Sequence, residues 1–338
     1  MSSFYKLTRL NNHLRKDAIT FHFLAKTAVI SNKDLLECQL LFRQMILPIF
    51  ENCPKPNSLL VCGLAESSIL LSAIMQQEIQ NAGINSYWIC STRRSISGFS
   101  FTEYHSHQPR HFLPSIESIP NEVWIVEDEI TTGQTIYQLA QIFHKIFPDC
   151  TIRFFTLLDC RNSEQLNLFK MLLEKQGIYH STHTWLNLSS LLNDQGNKNN
   201  EKSFFNENFQ PNFIKNNKIL HWYLPELRPA LKQQKLNSKA LFKTLSGTLL
   251  VIGEAIDLAL QMMIENPLLL MQHITLSPWE VDNNVIFNRY NIDSYYLYNF
   301  SKFIEPINIL SDPIDLNIAM ALKTFLSNHG YKSSFIKF

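Results

Sequence analysis

Val123-Trp-Ile-Val-Glu-Asp-Glu-Ile-Thr-Thr-Gly-Gln-Thr135 is the stretch that decides the fold. Its four apolar residues predict a buried strand that delivers two adjacent carboxylates, Glu127 and Asp128, to its carboxyl end. A turn of hydroxyls and one glycine then opens a helix. In open α/β sheets, ligands bind outside the carboxyl ends of the strands. Backbone N–H groups at a helix start suit a monophosphate, and paired carboxylates suit sugar hydroxyls or magnesium.

The simplest alternative is a strand end followed by a capped helix, with Asp128 and Thr131 serving only as turn and cap residues. Four apolar residues, two acids and TTGxT in one register make that alternative the weaker one.

Short apolar runs alternate with amphipathic segments around this stretch. The predicted strands are Ser58–Cys62, Ser86–Cys90, Val123–Val126 and Arg153–Leu158. The predicted helices lie near Glu66–Asn81, around Ile136–Phe143 with i, i+3, i+4, i+7 spacing, and at Ser163–Gln176. Continuous apolar strands between such helices predict a parallel sheet covered on both faces.

The sheet domain is one of four segments into which the sequence divides. Residues 1–57 are predicted to be a mainly helical N-terminal segment, 58–185 the sheet domain, 186–220 an asparagine-rich linker and 221–338 a second, smaller α/β domain. In that last domain we expect strands at Gly247–Ile252, Leu268–Thr275 and Tyr295–Phe300, a helix over 255–265, and a final helix that begins at Asp312-Pro313.

Composition excludes several classes of protein. Nine glycines in 338 residues compare with about 24 from average usage, and neither GxGxxG nor GxxxxGK[ST] occurs. A net charge of +1 gives no electrostatic case for nucleic acid or membrane partners. Six cysteines without a CxxC pair, and an N-terminus without a continuous apolar core, predict a cytoplasmic protein.

The quoted stretch resembles the binding motif for phosphoribosyl pyrophosphate (PRPP) in type I phosphoribosyltransferases. The resemblance implies that fold: a parallel sheet with helices on both faces, plus a hood loop. It implies that Glu127 and Asp128 bind the ribose hydroxyls and, with PRPP, Mg²⁺. The 5′-phosphate would lie against the turn formed by Thr131, Thr132, Gly133, Gln134 and Thr135.

Two further parts of such enzymes have counterparts here. A pyrophosphate loop would be formed by Gly63, Leu64, Ala65, Glu66 and Ser67. Since it contains no lysine or arginine, the role of Glu66 stays open between metal ligand, base contact and helix start. Hypoxanthine–guanine salvage enzymes carry an aspartate where this chain has Thr131, so salvage of that type is disfavoured.

The hood, residues 91–121, concentrates cations and histidines. The candidate catalytic residues are Arg93, Arg94, Glu103, His105, His107, Arg110 and His111. Arginines suit a leaving pyrophosphate, and a histidine near neutrality suits proton transfer. Two alternatives stay open, namely loop histidines that are merely hydrogen-bonded and a zinc site made from H-x-H-x3-H.

A narrower resemblance adds the C-terminal domain. STRR, the hood histidines and EDEITTGQT resemble phosphoribosyltransferases of bacterial tellurium-resistance and stress-response clusters, which carry a C-terminal TRSP domain. The segment His273–Pro278 is similar to that domain's motif, with Leu276 in place of its arginine. The implied second-domain site consists of Gly253, Glu254, Thr275, Ser277, Tyr298 and Asn299; an ordinary strand-end turn is the alternative.

The function predicted on these grounds is transfer of a phosphoribosyl group from PRPP to a base or other small nucleophile, with Mg²⁺, in the synthesis of a nucleoside-like metabolite. A catalytically silent PRPP or nucleotide sensor is the second hypothesis. A third is that the second domain has its own reaction on the first domain's product. The expected partners are PRPP and a small acceptor, with a homodimer left open.

Overall fold

The structure is a computed structural model that describes residues 4–10, 16–103, 108–116, 119–188, 205, 209–216 and 242–336. The chain divides into two compact units. Leu41–Ile219 form one, which we call the sheet unit. Met1–Leu40 and Leu220–Phe338 form the other, which we call the C-terminal unit. The domain boundaries inferred from the sequence stay a prediction.

The described strands and helices follow one another along the chain in this order. The strands are β1 Phe4–Thr8, β2 Asp17–Phe21, β3 Leu59–Gly63, β4 Ser86–Cys90, β5 Gly98–Thr102, β6 Arg110–Pro114, β7 Glu122–Ile130, β8 Thr151–Asp159, β9 His180–Asn187, β10 Asn212–Ile214, β11 Thr248–Ile252, β12 Leu270–Ile274, β13 Arg289–Ile292, β14 Tyr295–Tyr298, β15 Ile307–Ser311 and β16 Ser333–Phe335. The helices are α1 Asn32–Asn52, α2 Ser67–Asn81, α3 Gln134–Ile146, α4 Ser163–Lys175, α5 Ile256–Glu265 and α6 Leu316–Asn328.

A five-stranded parallel sheet forms the centre of the sheet unit, in the order β4-β3-β7-β8-β9. Strands β3, β4, β7 and β8 contain nearly continuous apolar runs because both faces are covered, whereas the edge strand β9 is largely polar. On one face Phe50 of α1 stacks on Trp124, which packs against Phe155. On the other, Phe169 of α4 packs edge-on against Phe154. The predicted α/β sheet with helices on both faces is confirmed.

The carboxyl end of this sheet positions the candidate site. Gly63, at the end of β3, is in register with Cys90 of β4 on one side and Val126 of β7 on the other. The predicted pyrophosphate loop and the hood, which follow β3 and β4, therefore leave the sheet beside the part of β7 that carries Glu127 and Asp128, since β7 continues to Ile130.

The hood contains regular structure that the sequence did not predict. Strands β5 and β6 form an antiparallel hairpin, and β10 adds to its edge by pairing Phe213 with Phe99. Strand β10 comes from the segment predicted to be a linker, most of which lies outside the described residues. The pairing of β10 with β5 spans more than a hundred residues and cannot be inferred from local sequence patterns. Strands β5 and β6 are close in sequence, but their residues lie within the polar stretch that was predicted to be a loop.

The C-terminal unit contains a second parallel sheet, ordered β12-β11-β15-β16. It confirms the predicted second α/β region. The sequence anticipated β11, β12 and α5 but not β15 and β16. The predicted strand Tyr295–Phe300 is observed as β14, which pairs with β13 in a separate antiparallel hairpin.

The start of the chain was expected to be mainly helical, and that prediction is wrong before Asn32. Strands β1 and β2 pair antiparallel, with Phe4 opposite Phe21. Their outward side chains include an exposed ion pair between Lys6 and Asp17 at 2.8 Å. Leu7 of β1 and residues 18–21 of β2 are buried, so burial and strand pairing override the helical pattern.

Candidate active site

Glu127 and Asp128 lie at the carboxyl end of β7, where the sequence placed them, and they contact the start of α2. The Ser68 hydroxyl donates to Glu127 Oε1 over 2.6 Å. The backbone N–H of Asp128 donates to Ser68 Oγ and to Glu127 Oε1, each at 3.0 Å. Ser68 therefore joins the segment after β3 to the paired carboxylates, a link that the sequence alone did not indicate.

The environment of Glu127 disfavours its charged form. Burial raises the pKa of the Glu127 carboxyl well above its ordinary value, and the adjacent Asp128 carboxylate raises that pKa further. The hydrogen bond from Ser68 opposes the shift. Two carboxylates crowded in this way gain from a cation or from hydroxyl donors placed between them.

The turn after β7 opens helix α3 without an acidic residue in its first turn. Gly133 is buried with φ +86°, in the left-handed region that favours glycine. Thr132 Oγ1 accepts a hydrogen bond from the N–H of Gln134 at 3.3 Å. Thr131, Thr132 and Thr135 are partly exposed, while Gln134 is buried. The turn thus presents hydroxyls and a helix N-terminus, an arrangement that favours a bound anion.

Beneath this turn lies a buried ion pair that sequence reasoning missed. Arg161 is 0% exposed and binds Asp159 through two hydrogen bonds, Nε to Oδ1 at 2.9 Å and Nη2 to Oδ2 at 2.6 Å. Its guanidinium stacks on Phe169 at 4.6 Å from the ring centre. Arg161 Nη1 has no hydrogen-bond partner among the described residues, and it would lie 3.3 Å from a Cβ placed on Gly133. The DxR spacing after an apolar strand was the signal available in the sequence.

The predicted pyrophosphate loop follows β3 closely. A Cβ on Gly63 would come within 2.1 Å of Ser72 Oγ and 2.6 Å of the Ser68 carbonyl oxygen, so only glycine fits there. Leu64 and Ala65 are buried, whereas Glu66 and Ser67 are partly exposed. The peptide bond between Ala65 and Glu66 is cis. The Ala65 N–H donates to Ser91 Oγ at 2.9 Å, which ties the loop to the segment after β4.

Three of the candidate hood residues lie together. The Arg93 guanidinium pairs with Glu103 and also donates to the Gln108 carbonyl oxygen. His111 is 0% exposed, and its Nε2 lies 3.1 Å from Glu103 Oε2. Burial, reinforced by the Arg93 charge, lowers the pKa of His111 to about 4. His111 is therefore a neutral, buried side chain at neutral pH.

The other hood candidates are more dispersed. Arg94 is partly exposed, and its backbone N–H donates to Thr92 Oγ1 at 3.1 Å. Arg110 is exposed and pairs with Thr102 in the hairpin. His105 and His107 lie outside the described residues. The zinc alternative therefore has only His111 within the described part of the hood, and both its ring nitrogens contact protein groups.

A family model described as phosphoribosyl transferase matches residues 9–188, more than half of the chain. The chain belongs to this family. As a phosphoribosyltransferase it transfers a phosphoribosyl group, and the paired carboxylates and the TTGQT turn lie within the matched range.

Three solved structures illustrate what the phosphoribosyltransferase is similar to. One adenine phosphoribosyltransferase is 13% identical, with 53% of this chain and 95% of that chain covered at a TM-score of 0.34. The Trypanosoma brucei adenine enzyme, in complex with AMP, pyrophosphate and ribose-5-phosphate, is 12% identical over 57% and 82%, with a TM-score of 0.37.

The third is the hypoxanthine phosphoribosyltransferase of Trypanosoma cruzi in complex with IMP. It is 18% identical over 41% of this chain and 69% of that chain, with a TM-score of 0.28. Scores this low carry no weight for function. No curated protein matches the sequence significantly.

The predicted second-domain residues of the phosphoribosyltransferase lie near the carboxyl ends of β11, β12 and β14. Several of them bond to the protein backbone. The Tyr298 hydroxyl donates to the Ser277 carbonyl oxygen at 2.8 Å, and Thr275 Oγ1 accepts from the Ser277 N–H at 3.0 Å. The Gly253 carbonyl oxygen lies 2.9 Å from His273 Nε2, and Glu254 is buried.

Asn299 is the most heavily bonded residue of this set. Its Nδ2 donates to the carbonyl oxygens of Thr27 and Val285, each at 2.8 Å, and its Oδ1 accepts from the Phe287 N–H at 2.7 Å. These hydrogen bonds give Asn299 a structural role, in which its side chain holds the surrounding loop segments together. Leu276, which replaces the motif's arginine, is 8% exposed.

Elsewhere in the described residues, one group of three potential metal donors lies within 4.8 Å, formed by His22, Asp34 and Glu37. His22 Nε2 lies 3.0 Å from Asp34 Oδ1, and Asp34 Oδ2 accepts from the backbone and hydroxyl of Ser31. Ion pairing at the start of α1 accounts for this group. No helix in the described ranges is long and apolar enough to cross a bilayer.

Proposed function

We propose that the protein transfers ribose 5-phosphate from PRPP to a small-molecule nucleophile at the carboxyl end of the five-stranded sheet. The observation that carries this proposal is the contact of Ser68 with Glu127 and Asp128. It brings the segment after β3 against the paired carboxylates, directly before the TTGQT turn. One site then offers groups for all three parts of PRPP, namely the pyrophosphate, the ribose and the 5′-phosphate.

Each part of the donor has its own contacts in this proposal. The ribose hydroxyls donate to Glu127 and Asp128. The 5′-phosphate accepts hydrogen bonds from the turn Thr131–Thr135 and gains from the N-terminus of α3. The pyrophosphate lies along residues 63–67, with Arg94 and Arg110 supplying positive charge from the hood.

Magnesium fits the donor set of this site. Hard oxygen ligands on one or two carboxylates plus substrate phosphates are the arrangement Mg²⁺ favours. Burial, and then the neighbouring Asp128 carboxylate, raise the pKa of Glu127, and a bound cation would offset both by favouring the charged form. Glu127 and Asp128 would hold the ion together with PRPP. The chemistry that such an ion would supply is neutralisation of charge on the departing pyrophosphate.

The transfer step breaks the bond between ribose C1 and the pyrophosphate oxygen and forms a bond from C1 to the acceptor with inversion. The acceptor's proton passes to solvent or to a hood group. The protein contributes position and charge stabilisation around an oxocarbenium-like state. The hood, in which β5 and β6 form a hairpin, then serves to exclude water.

Calorimetry with PRPP and Mg²⁺ tests the proposal directly. Glu127→Gln combined with Asp128→Asn should abolish binding, because both ribose contacts and the metal ligands are lost. Glu164→Gln with Asp149→Asn is the matched control, since it removes the same charge from exposed positions of the sheet unit. Unchanged affinity in the folded site variant would defeat the assignment.

Turnover separates the enzyme from a sensor. Pyrophosphate release from PRPP in the presence of a panel of bases supports transfer, while tight PRPP binding without release under any acceptor supports a silent binding module. Two observations favour slow release of pyrophosphate from PRPP. Arg93 is paired with Glu103, and residues 63–67 contain no lysine or arginine.

The biological setting is also a proposal. STRR, the hood histidines and the segment His273–Pro278 support membership of the stress-response branch with a TRSP domain, and a nucleoside-like product. All six cysteines are free thiols, which suits the cytoplasm. Thr131 argues against hypoxanthine–guanine salvage. Screening nucleophiles other than hypoxanthine and guanine first is therefore the efficient order for the acceptor search.

A further inference from the structure

A continuous chain of hydrogen bonds runs from the predicted pyrophosphate loop to the hood. The Ala65 N–H donates to Ser91 Oγ at 2.9 Å, and Ser91 Oγ lies 2.9 Å from His111 Nδ1. His111 Nε2 lies 3.1 Å from Glu103 Oε2. The Arg93 guanidinium closes the chain on Glu103. Its members come from three separate segments of the sheet unit.

The protons on this chain have one consistent arrangement. Burial alone would raise the pKa of Glu103, but the Arg93 charge and the His111 hydrogen bond outweigh it and hold that pKa well below its usual range. The Glu103 carboxylate therefore only accepts, so His111 Nε2 carries the ring proton. Because His111 is neutral, its Nδ1 accepts from the Ser91 hydroxyl. Ser91 Oγ is then left to accept from Ala65.

Serine, histidine and glutamate in a row also make up a nucleophilic triad, and burial decides against that function here. Ser91 and His111 are each 0% exposed. Phe101 stacks on the His111 ring at 4.8 Å with 19° between the planes. A nucleophile must reach its substrate, whereas this hydroxyl faces a backbone amide. The chain acts on the loop and not on a substrate.

The hood side of the chain is firmly held. Thr92 and Phe112 exchange two backbone hydrogen bonds beside His111, at 2.8 and 2.9 Å. Gln138 of α3 bonds both the N–H and the carbonyl oxygen of Thr102, next to Glu103, at 3.1 and 3.0 Å. The His111 and Glu103 side chains are therefore anchored, and their positions determine where Ser91 Oγ points.

We propose that Ser91, His111 and Glu103 are positioning residues that fix the Ala65 peptide and so hold residues 63–67 in the conformation that receives pyrophosphate. Arg93 keeps Glu103 in the accepting form. This inference rests on the proposed function, because that function assigns pyrophosphate to this loop. It also explains why the loop itself carries no lysine or arginine to order it around the anion.

The sheet unit supplies a matched control for this chain. His183 stacks on Phe155 at 4.9 Å with 19° between the planes, and its Nε2 lies 2.9 Å from Ser181 Oγ. It is the same pairing of a hydroxyl with an imidazole stacked on phenylalanine, located on β9 away from residues 63–67. Ser181→Ala and His183→Phe therefore remove equal chemistry without touching the loop.

The test compares Ser91→Ala and His111→Phe with these controls in the full-length protein. Calorimetry with inorganic pyrophosphate and Mg²⁺ should show about tenfold weaker binding in both site variants, the size of one lost buried hydrogen bond. Ribose 5-phosphate affinity should stay within about twofold, because its proposed contacts lie at residues 127–135. Hydrogen exchange of peptides covering 63–68 should accelerate in the site variants only.

The outcomes separate the two proposals. If the wild-type protein binds no pyrophosphate, the proposed function fails, while exchange at 63–68 still decides whether the chain holds the loop. If pyrophosphate binds equally in wild type and site variants with unchanged exchange, the positioning chain is overturned. Equal losses of pyrophosphate and ribose 5-phosphate affinity indicate general disruption and also overturn it. Ser91→Ala alone carries the test if His111→Phe does not fold.

Discussion

Ser68 Oγ lies 2.6 Å from Glu127 Oε1 and receives the Asp128 N–H at 3.0 Å, so one hydroxyl serves both candidate ribose-binding residues. Ser68→Ala removes the hydrogen bond that partly offsets the raised pKa of Glu127. It also removes the acceptor of the Asp128 backbone N–H. We expect PRPP–Mg²⁺ affinity to fall about tenfold, measured calorimetrically. Ser163→Ala, an exposed serine at the start of α4, should leave it unchanged.

The raised pKa of Glu127 has a consequence for stability. Its folded-state pKa lies above the unfolded value, so the stability that this carboxyl contributes is complete below the unfolded pKa and is lost as the pH rises through the folded one. Glu127→Gln does not ionise, and its melting temperature relative to wild type should therefore increase between pH 5 and pH 8.

Each kcal/mol regained by Glu127→Gln corresponds to a shift of roughly 2–4 °C. Melting curves of wild type, Glu127→Gln and the exposed Glu164→Gln across that pH range give the measurement. A flat difference between wild type and Glu127→Gln would contradict the shift.

Replacing Arg161, which forms a buried ion pair with Asp159, should lower both the stability of the protein and its affinity for phosphate. Arg161→Met leaves Asp159 as an uncompensated buried charge, which costs about 3–5 kcal/mol. Arg161→Lys retains charge but cannot form the bidentate contact. We expect both variants to unfold at lower denaturant concentration and to bind ribose 5-phosphate more weakly, because Arg161 lies against Gly133.

Arg153, on the strand β8 that ends at Asp159, gives the control for this prediction. It pairs with Glu122 at 2.8 Å near the opposite end of β8. Arg153→Lys should lower stability while ribose 5-phosphate affinity stays at the wild-type value. Equal affinity losses in Arg161→Lys and Arg153→Lys would show that only global stability is affected.

The sequence predicted the parallel strands β3, β4, β7 and β8 and the helices α2, α3 and α4 because their signals are local and strong, whereas the largely polar edge strand β9 was not predicted. Glu127, Asp128 and Gly133 were placed for the same reason, since strand, acids and turn occur in one register. Strand β10 was not predicted because it pairs with a strand more than a hundred residues away, and β5 and β6 were not predicted because they lie within a polar loop stretch. The roles of Ser91 and Arg161 depend on where buried side chains point, which only the packed structure determines.

Asn299 tests whether the predicted second-domain site has a structural role. Asn299→Asp keeps the acceptor for the Phe287 N–H but removes both donors to the carbonyl oxygens of Thr27 and Val285. Each buried acceptor left unsatisfied costs about 1–3 kcal/mol. We expect a lower melting temperature with unchanged PRPP affinity. Unchanged melting with lost turnover would instead place Asn299 in a ligand site.

Gly133 and Gly177 allow backbone strain to be separated from ligand contact. Both have positive φ, at +86° and +71°, but a Cβ at Gly177 meets nothing within 4 Å, while one at Gly133 lies 3.1 Å from Phe169. Gly177→Ala should therefore cost only the left-handed conformation, about 1–2 kcal/mol.

Gly133→Ala adds a steric contact at the turn that opens α3. Its destabilisation should exceed that of Gly177→Ala, and ribose 5-phosphate affinity should fall because the N–H groups of the turn shift. Denaturant titration and calorimetry on the two variants provide the comparison. If both variants lose the same stability and retain wild-type affinity, the turn at Gly133 does not bind the phosphate.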